Sequence, residues 1–257
     1  MPSNNEDEEI YRVLFELSND RRASILFEVE KNNLKMQQIA RSLDMTVTET
    51  FRHLQRLSDS KLVEKKVDGT YAITSLGILA NSFMSSFNFI LKNADFFIEH
   101  DVVSIPYEFV NRLCELSDGE FYRDALSAMN KTRKMVDEAE NYIWAIAEQS
   151  ESSHTPIVNE KMHKGLKLRF IMQKELARVL KFDPKVEHLK ERKFMERVPV
   201  TLLITEKEAV VHLRMNNGRM DYVGFFGTDE KFLKWSRDLF MHYWEDAERW
   251  YPGIQIQ

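Results

Sequence analysis

The segment TVTETFRHLQRL, residues 46–57, decides the fold of the N-terminal third of this chain. Its start predicts a helix cap, because the Thr46 hydroxyl can accept a helical N–H while the Glu49 carboxylate reaches back to the cap. We therefore expect an amphipathic helix whose exposed face is basic and rich in hydrogen-bonding groups. Its inward positions are Val47, Thr50 or Phe51, Leu54 and Leu57.

Elements on both sides of this helix complete a defined order. Two short strands, residues 64–67 and 70–73, are predicted after it about an Asp68-Gly69 turn. Helix, short turn, polar helix and basic hairpin is the order of a winged helix-turn-helix, in which one helix enters a major groove. Three helical patterns precede the helix, at Ile10, Val13, Leu14 and Leu17, at Ile25, Leu26 and Val29, and at Met36, Ile39, Ala40 and Leu43.

Double-stranded DNA is the partner that this order predicts. Arg and Lys can neutralise phosphates or pair with guanine, while Thr and Gln can donate or accept at base edges. The alternative is a small helical bundle with a solvated polar helix, and for Arg52 or Arg56 taken alone the two readings are evenly balanced. The candidate DNA contacts are Arg41, Thr46, Thr48, Glu49, Arg52, His53, Gln55, Arg56, Lys65 and Lys66.

The stretches MQQIARSLD (36–44), RHLQRL (52–57) and KLV (61–63) resemble winged-helix regulators of the arsenic-repressor type. The chain departs from that family at Lys61, where glycine is usual, and at Phe51, where a small polar residue is common. The third helix also lacks the paired cysteines by which metal-sensing members bind their ion. The resemblance therefore implies DNA binding without metal sensing.

Composition limits the other possibilities. A length of 257 residues favours two domains, and a net charge of -5 requires that any DNA affinity come from a locally basic face. Cys114 is the only cysteine, which excludes an intrachain disulfide and a multi-cysteine metal cage. Residues 1–9 are polar and acidic, unlike a signal peptide. We expect a cytoplasmic protein with no cofactor, no metal and no membrane association.

Residues 76–98 form an apolar stripe at helical spacing. Interruptions by Asn, Ser and Lys side chains make the stretch too polar for a membrane. One interpretation is burial against its own domain; the other, which we favour, is pairing with a second copy across a two-fold axis. The dimerisation candidates are Leu76, Leu79, Phe83, Phe87 and Ile90.

Beyond residue 105 the pattern alternates helices with short apolar strands, as in an α/β domain. The stretches GLKLRFI (165–171), RVPVTL (197–202) and WSRDLFMHYW (235–244) resemble the output domain of archaeal methanogenesis-type regulatory proteins. That family implies a regulator whose output domain senses a small molecule.

Such domains are also distantly similar to the phospholipase D fold. Its catalysis needs His-x-Lys with an Asp five residues after the Lys. The candidates HLK (188–190) and HLR (212–214) have Met195 and Arg219 at that position. A hydrolase is therefore the least favoured reading, and we predict that the chain is not an enzyme.

Four residues are candidates for effector binding. Arg169 interrupts an apolar strand, so it is either an outward charge or a pocket group for an anion. His212 and Arg214 stand where the hydrolase motif would lie. Trp235 is read as core or, less often, as part of a ligand cage.

The predicted organisation is α+β. A winged helix-turn-helix occupies residues 1–75, a long connecting and dimerisation helix residues 76–100, and an α/β output domain residues 101–257. The function expected is a sequence-specific, homodimeric transcription regulator controlled by an effector. A DNA-binding or partner-docking protein without a ligand is the alternative.

Overall fold

A computed structural model describes residues 4–148, 155–177 and 190–249. The chain forms two compact units, Met1–Asn88 and Phe89–Gln257, each with its own hydrophobic core. Both helices and sheets are present, so the fold is of the mixed α+β class that the sequence predicts. No helix in the described ranges has the length and apolarity needed to span a bilayer.

The first unit is mainly helical, with a three-stranded antiparallel sheet in the order β1-β3-β2. Its predicted helices and hairpin are present, and the two-residue strand β1 is an addition that no sequence pattern indicated. The elements are α1 (Asn4–Leu17), α2 (Asp20–Lys31), β1 (Leu34–Lys35), α3 (Met36–Ser42), α4 (Val47–Asp59), β2 (Val63–Lys65), β3 (Thr70–Ile73) and the start of α5 (Ser75–Lys92).

Helix α4 begins as predicted at the Thr46 cap, whose hydroxyl accepts a hydrogen bond from the Glu49 N–H at 3.2 Å. Its inward face is narrower than expected: Thr50 is buried, whereas Val47 and Phe51 are 46% and 49% exposed. The Thr50 hydroxyl can be buried because it donates to the Thr46 carbonyl at 2.9 Å. On α1 the helical pattern at Ile10, Val13, Leu14 and Leu17 is confirmed, and Ile10 and Leu14 are exposed. The core of this unit is formed by Ile25, Leu26, Val29, Ile39, Leu54, Leu57, Leu62, Val63 and Tyr71.

The prediction of one continuous connecting helix over residues 76–100 is wrong. Helix α5 ends at Lys92, and a separate helix α6 (Ala94–Glu99) follows. At the break, the Asn93 side-chain amide donates to the Phe89 carbonyl at 2.9 Å, while the Asn93 N–H bonds to the Ile90 carbonyl instead. An asparagine side chain that competes for a backbone acceptor in this way interrupts a helical ladder.

The second unit is built on an eight-stranded sheet in the order β11-β7-β6-β5-β8-β9-β10-β4. Strands β5, β6 and β7 are parallel neighbours, and the other pairs are antiparallel. After α6 the elements are α7 (Tyr107–Val110), a 3₁₀ helix (Leu113–Leu116), β4 (Glu120–Tyr122), α8 (Ala125–Glu138), β5 (Tyr142–Ala147), α9 (Thr155–His163), β6 (Lys167–Gln173), α10 (Lys174–Ala177), β7 (Lys190–Met195), β8 (Val200–Thr205), β9 (Ala209–Leu213), β10 (Gly224–Gly227), α11 (Glu230–Asp246) and β11 (Glu248–Arg249).

The two faces of the sheet differ in what covers them. Leu202, Val211 and Phe225 share one face and pack in the same core cluster as residues of α11. Because side chains alternate along a strand, the neighbouring residues Thr201, His212 and Gly224 lie on the other face. Thr201 and Gly224 are both directly opposite His212, so the three form one row across β8, β9 and β10.

The sequence predicts strands at residues 166–172, 200–205, 209–215 and 222–226, and the structure confirms them as β6, β8, β9 and β10 with ends that differ by at most two residues. The sequence also predicts a helix over residues 107–116, where the structure has a short α-helix followed by a 3₁₀ helix. Strands β4, β5, β7 and β11 were not predicted, and for β5 the sequence pattern indicated a helix running into residues 142–146. Two residues of the HLK candidate motif, His188 and Leu189, lie outside the described residues.

Candidate functional site

The exposed side of α4 carries Thr48, Arg52 and Gln55. In the described part of the chain, Arg52 has no ion-pair partner, so its guanidinium is available to another molecule. Thr46 is exposed too, but its hydroxyl already caps the helix. Arg41 lies on the preceding helix α3 and is also exposed. These residues give the unit a helix face with cations and neutral hydrogen-bonding groups.

His53 is less accessible than the sequence suggested. Its side chain is 17% exposed, and its Nε2 lies 3.8 Å from a carboxylate oxygen of Glu49. Burial, and then the positive charge of Arg22, lower the pKa of His53 below its ordinary value. The imidazole is therefore neutral near pH 7, which removes it from the set of phosphate-neutralising groups.

Arg56 differs most from its predicted role as a DNA contact. Its Nε and one terminal nitrogen donate to the two carboxylate oxygens of Glu16 at 2.9 and 2.7 Å. Glu16 is buried on α1 and is also paired with Arg22 at 2.8 Å. A bidentate pair with a buried carboxylate fixes the position of the guanidinium, and Glu16 shares its single negative charge between Arg56 and Arg22. Arg56 therefore fastens α4 to α1 and is not a free cation.

Glu16 was missed because no sequence pattern pairs it with a residue 40 positions away. The hydrogen bond from Arg56 is the main reason that the pKa of Glu16 lies below its ordinary value. Phe15, its neighbour, lies under both guanidiniums, with its ring centre 5.7 Å from Arg22 and 5.4 Å from Arg56. A charged residue inside an apolar helical pattern was the available signal.

The hairpin between β2 and β3 presents Lys65 and Lys66, both exposed. Its turn is held by Asp68, whose carboxylate accepts the Thr70 N–H at 2.9 Å, and by Gly69, whose φ of 82° suits glycine. Lys66 forms an ion pair with Glu64. This exposed pair is weak, because solvent screens it. The hairpin therefore adds two accessible cations to the same unit.

A row of exposed apolar side chains runs along α5. Leu76, Leu79, Phe83 and Phe87 are 45%, 68%, 59% and 51% exposed, and Ile90 is 36% exposed. The rings of Phe83 and Phe87 stack with centres 6.3 Å apart. We call these five residues the α5 stripe. Helix α1 also exposes Ile10, Tyr11, Leu14 and Phe15.

Two of the four effector candidates, Trp235 and Arg169, contact aromatic rings or form hydrogen bonds that bear on their predicted role. Trp235 is fully buried, and its indole N–H donates to the Phe109 carbonyl at 3.2 Å. It is a core residue, so a ligand-cage role for Trp235 is wrong. Arg169 lies over the rings of Trp144 and Trp244, at 5.2 and 5.5 Å from their centres, and its Nε donates to Glu191 at 3.1 Å.

The other two candidates, His212 and Arg214, are 3% and 4% exposed. Arg214 donates to the backbone carbonyls of Gly218 and Val198, each at 2.7 Å, and lies 3.1 Å from Glu148. Burial lowers the pKa of His212 to about 4, so the imidazole is neutral at pH 7. His212 and Arg214 are therefore two buried polar residues that lie close together in sequence at the end of β9. In the described ranges no cluster of His, Cys, Asp and Glu is suited to a metal ion.

Comparison with known proteins gives one family match. Residues 126–246 match the model of the methanogenesis regulatory protein FilR1, middle domain. The match covers most of the second unit but less than half of the chain. It supports the predicted regulator for this part of the chain, where the sequence resemblance was drawn. No curated protein matches the chain.

Several solved structures are distantly similar. TrmBL2, described as an archaeal chromatin protein, is 16% identical over 84% of this chain and 88% of its own, with a TM-score of 0.45. NucT from Helicobacter pylori is 9% identical over 51% of this chain and 98% of its own, with a TM-score of 0.40. The IclR protein of Thermotoga maritima is 14% identical over 88% and 94%, with a TM-score of 0.28. At these scores the similarities establish neither fold nor function. The match of residues 126–246 to the model of a domain of a regulatory protein is the comparison that bears on the second unit.

Proposed function

We propose that this chain is a sequence-specific DNA-binding transcription regulator that acts as a homodimer and responds to an effector held by its second unit. The observation that carries the proposal is the exposed face of α4, with Arg52 free of any ion pair in the described residues, in the same unit as the Lys65 and Lys66 hairpin. In this proposal the first unit is a winged helix-turn-helix, α4 is its recognition helix and the hairpin is its wing.

The DNA contacts divide into two kinds. Arg41, Lys65 and Lys66 neutralise phosphates, which gives affinity without sequence information. Thr48, Arg52 and Gln55 lie on α4, and their side chains can read base edges in the major groove. We leave Arg56 and His53 out of the contact set, because Arg56 is engaged in a bidentate pair with Glu16 and burial keeps His53 uncharged.

Dimerisation is proposed for the α5 stripe. An exposed apolar row on a single helix is larger than the scattered apolar residues that a monomer normally leaves in water. A two-fold dimer also supplies the pair of recognition helices that half-site recognition requires. The family match of residues 126–246 to a domain of a regulatory protein supports a regulatory role for the second unit.

Selection from a random duplex library tests this function. Full-length protein is expected to enrich one sequence motif, and Arg52→Ala is expected to weaken that preference by about 1–3 kcal/mol at one position. Lys31→Ala is the matched control, since it removes one exposed positive charge that lies on α2 and is paired with Glu28. Enrichment of no motif by the wild type would contradict the proposal.

A further inference from the structure

Among the buried polar atoms of the second unit that have no hydrogen-bond partner within the described residues, four belong to residues on or directly after strands β5, β8 and β9. They are Thr201 Oγ1, His212 Nδ1, Arg214 Nε and Glu148 Oε2. Buried polar groups in folded proteins are nearly always paired, so four unpaired ones in a small region need an explanation. A bound molecule that supplies the missing partners is one such explanation.

The four atoms belong to one region of the sheet. Thr201 and His212 are directly opposite each other on β8 and β9, and Arg214 comes two positions after His212, directly after the end of β9. Glu148, which directly follows β5, lies 3.1 Å from a terminal nitrogen of Arg214 without the alignment of a hydrogen bond. The sheet therefore holds these side chains together before any ligand arrives.

Tyr222 interacts with both His212 and Glu148. Its ring is 6.0 Å from the His212 ring in an edge-to-face arrangement, and its pKa is raised by burial and then by the charge of Glu148. Its φ of 61° lies in the left-handed region, which is an outlier for a bulky aromatic residue. Such backbone strain is concentrated at ligand-binding and catalytic sites.

Gly224 explains how the imidazole fits against the neighbouring strand. A Cβ atom at Gly224 would lie 2.7 Å from His212 Nδ1 and 2.1 Å from the Val211 carbonyl oxygen. Only glycine leaves room for the ring at this position. We call Glu148, Thr201, His212, Arg214 and Tyr222 the polar row.

The charges of the polar row restrict the class of ligand. Arg214 is already balanced by Glu148 and held by two backbone carbonyls. His212 is uncharged at pH 7. The atoms that remain are a guanidinium N–H, a carboxylate oxygen, a hydroxyl and an imidazole nitrogen. This set contains donors and acceptors without an excess positive charge, so it does not favour an anion.

We infer that the polar row binds a small uncharged molecule whose hydroxyl or amide groups both donate and accept hydrogen bonds. The inference rests on the proposed function, since this molecule is the effector, and it replaces Arg169 and Trp235 as effector contacts by residues around His212 and Arg214.

The first test compares two threonines of β8. Thr201 Oγ1 has no partner, whereas Thr205 Oγ1 accepts the Lys207 and Glu208 N–H groups at 3.2 Å each. Thr201→Val replaces an unpaired buried hydroxyl by a methyl group of similar size, so the melting temperature of the ligand-free protein is expected not to fall. Thr205→Val breaks existing hydrogen bonds and is expected to lower it.

The second test measures ligand binding in the absence of DNA. Full-length protein is melted with millimolar myo-inositol or acetamide, which present hydroxyl and amide groups, and with citrate or inorganic phosphate as anions. A bound molecule raises the melting temperature. We expect a rise with myo-inositol or with acetamide that is lost in Thr201→Val and kept in Thr205→Val.

Four results would overturn the inference: a rise with the anions alone, no rise with either uncharged probe, a rise that persists in Thr201→Val, or a Thr201→Val protein that melts as low as Thr205→Val. The outcome is independent of DNA recognition. Failure to select a DNA motif would remove the proposed function and leave a positive binding result intact.

Discussion

The backbone carbonyl of Arg214 accepts a hydrogen bond from the Asp101 N–H at 2.7 Å. The polar row is thereby joined to the segment that directly follows α6. Two further bonds strengthen the connection, because Asn216 donates from its side chain to the Ile98 carbonyl at 2.7 Å and from its backbone to Glu99 at 2.9 Å. Helix α6 follows α5 after one residue, so these bonds join the chain directly after β9 to the segment that follows the helix with the α5 stripe.

This connection predicts a variant that binds the effector normally but in which effector binding changes DNA affinity less than in the wild type. Asn216→Ala removes the side-chain bond to Ile98 and leaves the polar row intact. We expect the probe that raises the melting temperature to do so unchanged, while its effect on DNA affinity falls by about 0.5–2 kcal/mol. Asn217→Ala is the control, since its side chain accepts from the Arg219 N–H within the turn. Equal loss of coupling in both variants would argue against this route.

A second prediction concerns acid stability. The pKa of Glu16 is lowered in the folded protein, mainly by the hydrogen bond from Arg56. A lowered folded-state pKa contributes stability above the unfolded value and loses it as the pH falls through the folded value. Glu16→Gln should therefore cost about 3 kcal/mol at neutral pH, because it leaves the buried Arg22 unpaired. The loss should shrink below pH 4.5, the ordinary pKa of this group.

Denaturant unfolding of both proteins at neutral and acidic pH measures this effect. Glu28→Gln is a suitable control, because among the described residues Glu28 pairs only with the exposed Lys31, at 3.2 Å. A Glu16→Gln penalty that stays constant down to low pH would show that the carboxylate charge is not the source of the stabilisation.

Lys61 gives a third prediction. Its φ of 60° is a left-handed conformation that costs a non-glycine residue roughly 1–2 kcal/mol. Lys61→Gly should raise the free energy of unfolding by roughly 0.5–1 kcal/mol, since the relieved strain exceeds the added chain entropy. Asp44, with φ of 50°, is the comparison, because Asp tolerates this region better and Asp44→Gly should gain less. No gain at Lys61 would contradict the strain argument.

The fourth prediction tests the α5 stripe. Phe83→Glu and Phe87→Glu place charges at the centre of the proposed dimer contact, so both variants should sediment as monomers and bind DNA weakly. Val103→Glu, at a residue that is 90% exposed in the second unit, should remain a dimer. A wild-type protein that sediments as a monomer at micromolar concentration would contradict the assignment.

The sequence was most informative where a feature is local. The Thr46 cap and the Asp68-Gly69 turn depend on residues within a few positions, and both were predicted. The Lys61 departure noted from the sequence also corresponds to a physical feature, the left-handed backbone.

Long-range features could not be predicted in the same way. The pairing of Glu16 with Arg56 and the sheet order join residues far apart in the chain, and no spacing rule encodes either. The break at Asn93 was missed because it depends on a single side chain bonding to one carbonyl. His212 and Arg214 were selected by a motif, whereas Thr201, Glu148 and Tyr222 became visible only when the strands were placed in register.

The most direct test of the central claim is the salt dependence of DNA affinity for the selected motif. Three accessible cations assigned to phosphates, Arg41, Lys65 and Lys66, predict a slope of log affinity against log salt of about −2 to −3 for each subunit. Lys65→Ala should reduce that slope by roughly 1, and Arg56→Ala should reduce it by less because Arg56 is paired with Glu16. A wild-type affinity that does not change with salt would contradict DNA binding by this face.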